Sequence, residues 1–142
     1  MNIILFETYP KNDRILLSDE RGKHIKKILR LQVGDSFLMG LVNGFAGRAE
    51  IVGIDSEAVT IDWKPEISPV PLFPITLLVA QVRPICMKRI LREAVSLGVE
   101  RIVVSGTDTG EHSYRDAKLW RNGEFREYIL SGAQQEIGRA HV

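Results

Sequence analysis

The sequence predicts a mixed α+β and α/β fold in two parts: a small N-terminal β-barrel, then the opening β-α-β-α units of a parallel sheet. Three observations carry this. Several short apolar runs with strand-like patterning fall within the first ~60 residues, as in small barrels. The stretch "KPEISPVPLFP" at 64–74 then holds Pro65, Pro69, Pro71 and Pro74, four of the six prolines. Each fixes φ and biases its predecessor away from helix, so the stretch reads as an extended linker. Beyond it the apolar pattern changes to continuous runs alternating with helical spacing, the pattern of a parallel α/β sheet. The expected boundaries are a barrel over 1–63, a linker over 64–74 and an α/β part over 75–136.

In the first part, "IILFET" and "RILL" read as short strands. "GDSFLMGLVNGFAGRAEIVGI" reads as two strands around Asn43-Gly44, which suits a type I′ hairpin with positive φ at both positions. "EAVTIDW" places Val59, Ile61 and Trp63 on one face. One helix interrupts the strands, "GKHIKKILRL". Ile25, Ile28 and Leu29 lie at i, i+3 and i+4 as its buried stripe. Lys23, Lys26, Lys27 and Arg30 share the opposite face.

In the second part, "ITLLVA" is continuously apolar, as in a strand covered on both sheet faces. Pro84 suits the first turn of a helix. Met87, Ile90, Leu91, Ala94 and Val95 follow at helical spacing, and Gly98 is placed as the terminating glycine with Val99 after it. "RIVVSG" reads as the next strand. A further helix is expected over about 114–134, with Asn122-Gly123 as a break within it.

Composition bounds the function. Hydrophobic residues make up 44% and charged residues 26%, so the chain has the make-up of an ordinary globular protein. No apolar run approaches the ~20 residues that cross a bilayer. "MNIILFETYPKND" lacks the basic stretch and cleavage site of a secretory signal. The single cysteine, Cys86, makes an internal disulfide impossible, which fits a reducing cytoplasm. Net charge is +1, so any attraction to nucleic acid must come from local clustering.

Two clusters qualify. From Arg21 to Arg30 there are five basic residues and no acidic one. Such a stripe on a barrel suits a phosphate backbone, whose counterions it would replace, or is a plain solvated helix face. Arg48, on the strand after the hairpin, extends the stripe or points into water. The second cluster is Arg83, Lys88, Arg89 and Arg92, where a parallel strand ends and a helix begins. Ligands of α/β sheets bind there, and exposed helix faces look the same in sequence.

Standard catalytic signatures are absent: no G-x-G-x-x-G, no P-loop, no C-x-x-C, no H-E-x-x-H. His24, His112 and His141 lack ligand spacing, so no metal is expected. Cys86 reads as a small buried residue. "GTDTGEHSYRD" at 106–116 is a polar loop after a strand, a functional position or a plain connection.

The chain resembles a known family over about residues 1–135. His24, Leu29, Arg30, Gly34, Asp35, Gly44 and Gly47 match the N-terminal PUA-like barrel of the RsmE-type 16S ribosomal RNA uridine-N3 methyltransferases. Ala94, Leu97, Gly98 and Val99 match the Lys-Ala-Thr-Glu-Leu-Gly-Val run that opens that family's SPOUT domain. Val95 and Ser96 depart from its Thr-Glu, and Arg92-Glu93 from its Gln and Lys. The family's Ser-Glu-Arg loop is Glu111-His112-Ser113 here.

The resemblance implies methyl transfer from S-adenosylmethionine to N3 of a uridine in 16S ribosomal RNA, by a cytoplasmic homodimer. With that function, the basic clusters read as RNA-binding, and the candidate residues are Lys23, His24, Lys26, Lys27, Arg30, Arg48, Arg83, Lys88 and Arg89. The family holds its methyl donor in a C-terminal knot that follows the matched region. No residue here is therefore expected to bind the donor or is assigned as catalytic, and this chain alone is expected to be inactive. Two other readings stand beside this one: a non-enzymatic RNA-binding module of barrel plus small α/β cap, and an unrelated α/β enzyme with its ligand at Arg83–Arg89.

The tail "IGRAHV" before a stop is what ATC GGA AGA GCA CAC GTC TGA encodes, a string that resembles read-through of a common sequencing adapter. Residues 137–142 are accordingly expected to be non-native, and Arg139 and His141 carry no functional weight.

Overall fold

Five strands build the first part: β1 (Ile4–Phe6), β2 (Arg14–Leu16), β3 (Ser36–Leu41), β4 (Ala46–Ile54) and β5 (Ala58–Ile67). A computed structural model describes residues 2–135, and the expected non-native tail lies outside them. The chain divides into two compact units, one of Asn2–Pro69 and one beginning at Val70.

In the first unit the strand order is β1-β3-β4-β5-β2. The β1–β3 pair is parallel, and the other ladders are antiparallel. The result is a curled half-barrel with β1 and β2 at its edges and, among the described residues, no ladder between them. Its inner face is set by the alternation read from sequence. Val59 and Ile61 are buried with Ile4, Phe6, Ile15, Phe37, Met39, Ala49 and Ile51, and Trp63 packs against the margin. The curl has a local cause. The β4–β5 register slips between Ala46 and Arg48 and again between Ile51 and Gly53, and such bulges bend a strand. Gly47 sits in the first slip, and a Cβ there would lie 1.8 Å from the Lys64 carbonyl oxygen. Pro65, which has no N–H to donate, is tolerated opposite the same irregularity. β5 therefore runs on to Ile67, and the next strand starts at Phe73. Strands enter the proline-rich stretch from both sides, leaving 68–72 between them.

Two local expectations differ. The hairpin has one left-handed residue, Asn43 (φ 57°), where a type I′ turn needs two. Leu41 N–H bonds to the Phe45 carbonyl and Gly44 N–H to the Leu41 carbonyl, both at 3.0 Å. The loop therefore holds three residues, and the extra one changes the turn.

The helix is α1 (Glu20–Lys23), continued by a π turn over His24–Ile28. Leu29 N–H reaches five residues back to the His24 carbonyl at 2.9 Å. That wider turn rotates the following residues off the expected stripe. Ile25 is fully buried, but Ile28 is 68% and Leu29 42% exposed. Arg30 then turns left-handed (φ 56°), and Leu31 packs against the core in their place.

The second unit contains β6 (Phe73–Ala80), α2 (Pro84–Ser96), β7 (Val99–Ser105), α3 (Lys118–Arg121) and α4 (Phe125–Ala133). β6 and β7 pair in parallel, Leu77 opposite Ile102 and Val79 opposite Val104. Pro84 occupies the first turn of α2, which buries Met87, Leu91, Ala94 and Val95, and Gly98 ends it at φ 75°. Met87, Leu91 and Leu119 form a core that Val79, Ile102, Val104, Trp120, Phe125 and Tyr128 surround.

The helix expected over 114–134 is three pieces: a 3₁₀ turn at His112–Tyr114, then α3 and α4, parted by Gly123 at φ 71°. The two-face cover expected for "ITLLVA" is not found among the described residues. Strand alternation turns Leu78 and Val103 away from the core, and they stay 70% and 39% exposed.

Candidate nucleic-acid interface

In the first unit, the start of α1 is pinned by its own charges. Asp19 caps the helix by accepting from Arg21 N–H at 2.8 Å, and its carboxylate also takes two bonds from the Arg21 guanidinium. The hydrogen bonds from the Arg21 side chain hold the Asp19 carboxyl below the usual range. The same guanidinium lies 4.3 Å over the Phe6 ring. Arg21 is thereby committed to the fold.

Its neighbours are not. Lys23, Lys26, Lys27 and Arg30 are exposed, and none has an ion-pair partner among the described residues. His24 is half-buried on the same turn. The π turn sets exposed Ile28 and Leu29 directly after Lys26 and Lys27. Cations interleaved with apolar side chains suit a ligand with both phosphates and base faces.

Arg48 stands opposite Lys64 in the β4–β5 register, both exposed, and donates to Ser36 Oγ at 2.7 Å. The same ladder sets Glu50 opposite Asp62, so the outer sheet face is electrostatically mixed. The helix turn is the cleaner cationic surface.

In the second unit, Lys88, Arg89 and Arg92 border a hollow of about 640 Å³ with Pro84, Ile85 and Tyr128. Lys88 Nζ is 4.9 Å from the Tyr128 ring centre and 3.4 Å from Glu124. Hydrogen bonding to Tyr128, and secondarily Glu124, raises its affinity for the proton. Arg92 pairs with Glu93 at 2.8 Å. Arg83 and Arg89 remain exposed and without an ion-pair partner among the described residues. Cys86 is exposed rather than buried, because it precedes Met87 and lies off the apolar stripe of α2.

The carboxyl ends of β6 and β7 are where a parallel sheet would hold a cofactor. The hollow there, edged by Gln81, Thr107, Glu111 and His112, holds about 10 Å³. That is room for a single water, against several hundred Å³ for an organic cofactor. Gln81 already donates to the Tyr114 carbonyl, and Glu111 accepts from Ser113 N–H. These residues do not fit the methyl donor that the resemblance implies. Among the described residues, no group of three or more His, Cys, Asp or Glu is placed to hold a metal ion.

Sequence patterning gave no weight to a further hollow of about 470 Å³ in the first unit, lined in part by Tyr9, Lys11, Asn12 and Arg14. The usable signal was Asn12-Asp13 shortly after Pro10, since Asn and Asp tolerate left-handed backbone.

Residues 17–62 match the RNA methyltransferase PUA domain, and residues 68–139 match the RNA methyltransferase domain. Ribosomal RNA small subunit methyltransferase E of Treponema pallidum (strain Nichols) is 37% identical over 142 residues, covering 97% of this chain and 53% of the relative. The crystal structure of a probable rRNA-methyltransferase from Porphyromonas gingivalis superposes with TM-score 0.77 at 20% identity, over 98% of this chain and 57% of that one. A ribosomal RNA small subunit methyltransferase E from Neisseria gonorrhoeae, solved bound to S-adenosyl methionine, gives 0.67 at 18% identity, over 98% and 58%. The chain spans about half the length of the curated relatives it matches.

Proposed function

The chain belongs to the RsmE-type RNA methyltransferase family, and from that premise we propose that the whole protein methylates N3 of a uridine in 16S ribosomal RNA, with S-adenosylmethionine as donor. Family membership removes the unrelated α/β enzyme as a reading. Within this protein, residues 2–135 hold and orient the RNA, while the methyl donor is bound by other residues. The protein acts in the cytoplasm as a homodimer, as the family resemblance implies.

The observation that carries the RNA-holding role is the run of exposed cations at Lys23, Lys26, Lys27 and Arg30, which have no ion-pair partner among the described residues. Arg48 adds to it; in the second unit, Arg83 and Arg89 form a separate candidate contact, with Lys88 beside them held to Glu124. His24, half-buried, supports the turn that presents the lysines. Contacts to phosphates fix register without reading base identity. A folded ribosomal RNA site suits such recognition by shape and charge. The geometry at Arg30 favours this reading further. A left-handed arginine costs on the order of 1 kcal/mol, and such strain clusters at functional positions.

The test is the salt dependence of binding between the full chain and a 16S ribosomal RNA fragment. Four phosphate contacts give a straight line of log affinity against log salt with slope near −3. An affinity that does not change with salt would reject the role.

A further inference from the structure

We propose that the hollow beside the 3₁₀ turn Lys11–Asp13 is a single-nucleotide subsite, in which one unstacked RNA base lies on Tyr9 and its phosphate meets Lys11. This rests on the RNA-holding role proposed above and adds a second kind of contact, base stacking, at a hollow whose one member of the basic clusters, Arg21, is committed to Asp19.

The hollow is pre-formed, at about 470 Å³, within the size range of small-molecule sites. Its aromatic floor is already ordered. Tyr9 stacks on Trp63 with ring centres 5.4 Å apart and planes inclined by 23°, while 38% of Tyr9 stays exposed. The Tyr9 hydroxyl donates to Asp13 at 2.7 Å, which fixes the ring's direction. A planar base entering the hollow extends a two-ring stack that has already lost its freedom, so little ordering cost remains.

The charges narrow the ligand. Arg14 is paired with Asp55 at 2.8 Å, and Arg21 is committed to Asp19. Of the cations lining the hollow, Lys11 is exposed and has no ion-pair partner among the described residues. One cation unpaired among the described residues, beside one aromatic face, matches one phosphate and one base.

The backbone gives an independent reason. Asn12 (φ 55°) and Asp13 (φ 59°) are consecutive left-handed residues, and neither is glycine. Asn and Asp bear this region more cheaply than other side chains, but two in succession still store strain, and strain of this kind concentrates at ligand clamps. The turn is held by Asp13 N–H to the Pro10 carbonyl at 3.2 Å and by the Tyr9 hydroxyl. Lys11, in that turn, and Tyr9 line the same hollow.

The probe is a single-stranded RNA oligonucleotide carrying 5-iodouridine, bound to the full chain. Irradiation is expected to cross-link Tyr9. Tyr9→Leu lowers oligonucleotide affinity by about 5- to 100-fold with an unchanged salt slope. Lys11→Ala flattens the slope by about one contact. Tyr9→Phe, which keeps the ring but loses the hydroxyl bond to Asp13, loses less affinity than Tyr9→Leu, and the Tyr9 cross-link on the parent chain covers the case that Tyr9→Leu fails to fold.

Cross-links that avoid Tyr9, while the oligonucleotide still binds with a steep salt slope, overturn the subsite and leave the RNA role standing. No oligonucleotide binding at all overturns both. Competition by uridine monophosphate at the oligonucleotide's own affinity assigns the hollow to a free nucleotide and overturns the RNA assignment.

Discussion

A chain carrying Lys26→Glu and Lys27→Glu binds a 16S ribosomal RNA fragment about 10- to 100-fold more weakly at moderate salt, and its salt slope flattens by nearly two contacts. Both side chains are exposed and have no ion-pair partner among the described residues, so neither holds the fold together. Surface changes away from specific interactions shift stability by about 0.5 kcal/mol or less, and the variant should melt with the parent. Loss of binding then reports on the interface alone. The reversal also adds repulsion toward phosphate, which is why the affinity loss exceeds that of alanine. An unchanged slope in this variant removes the helix turn from the RNA surface.

Gly47→Ala is expected to destabilise the first unit by about 3 kcal/mol, the upper end of what overpacking costs. The new methyl group would meet the Lys64 carbonyl oxygen at 1.8 Å and the Pro65 Cα at 3.0 Å. Both are backbone atoms of β5, so relief requires the two strands to separate at the bulge that curls the sheet. Gly53, in the second bulge of the same strand, is the internal control. Its nearest neighbour would be Thr60 Cβ at 3.7 Å, an ordinary contact. In urea, the midpoint of Gly47→Ala falls by about 1 M or more, while Gly53→Ala shifts little. Equal behaviour of the two variants contradicts the close-approach account.

Patterning alone located the parts of this fold that repeat. Val59, Ile61, Met87, Leu91, Ala94 and Val95 are buried because period-2 and period-3.6 spacing follow from backbone geometry. The cap at Gly98 was legible for the same reason, since a positive φ favours glycine. Misreadings arose where one hydrogen bond changed the period. A single π turn moved Ile28 and Leu29 from the core to the surface, and nothing in "HIKKILRL" announces it. The three-residue loop at Asn43 and the slip opposite Pro65 are likewise choices of register, made by cross-strand pairing and not by the local residues. The open face at Leu78 and Val103 looked buried in sequence because an apolar run records which residues avoid water, not what covers them.

The candidate surfaces follow the same division. Charge runs at Lys23–Arg30 and Arg83–Arg92 are visible in one dimension. Which members are already spent is not: Arg21, Arg92 and Lys88 have carboxylate partners, while Lys26, Lys27, Arg30 and Arg89 have none among the described residues. Tyr9 and Trp63 lie far apart in sequence and become a stacked pair only in the folded first unit.

The division of labour proposed for this chain, RNA held here and the methyl donor held elsewhere in the protein, is tested most directly by titrating the full chain with S-adenosylmethionine in a calorimeter, beside a parallel titration with the 16S ribosomal RNA fragment. The residues at the β6 and β7 strand ends leave about 10 Å³, so no saturable heat is expected from the donor while the RNA saturates. Saturable, micromolar binding of S-adenosylmethionine by this chain would contradict it.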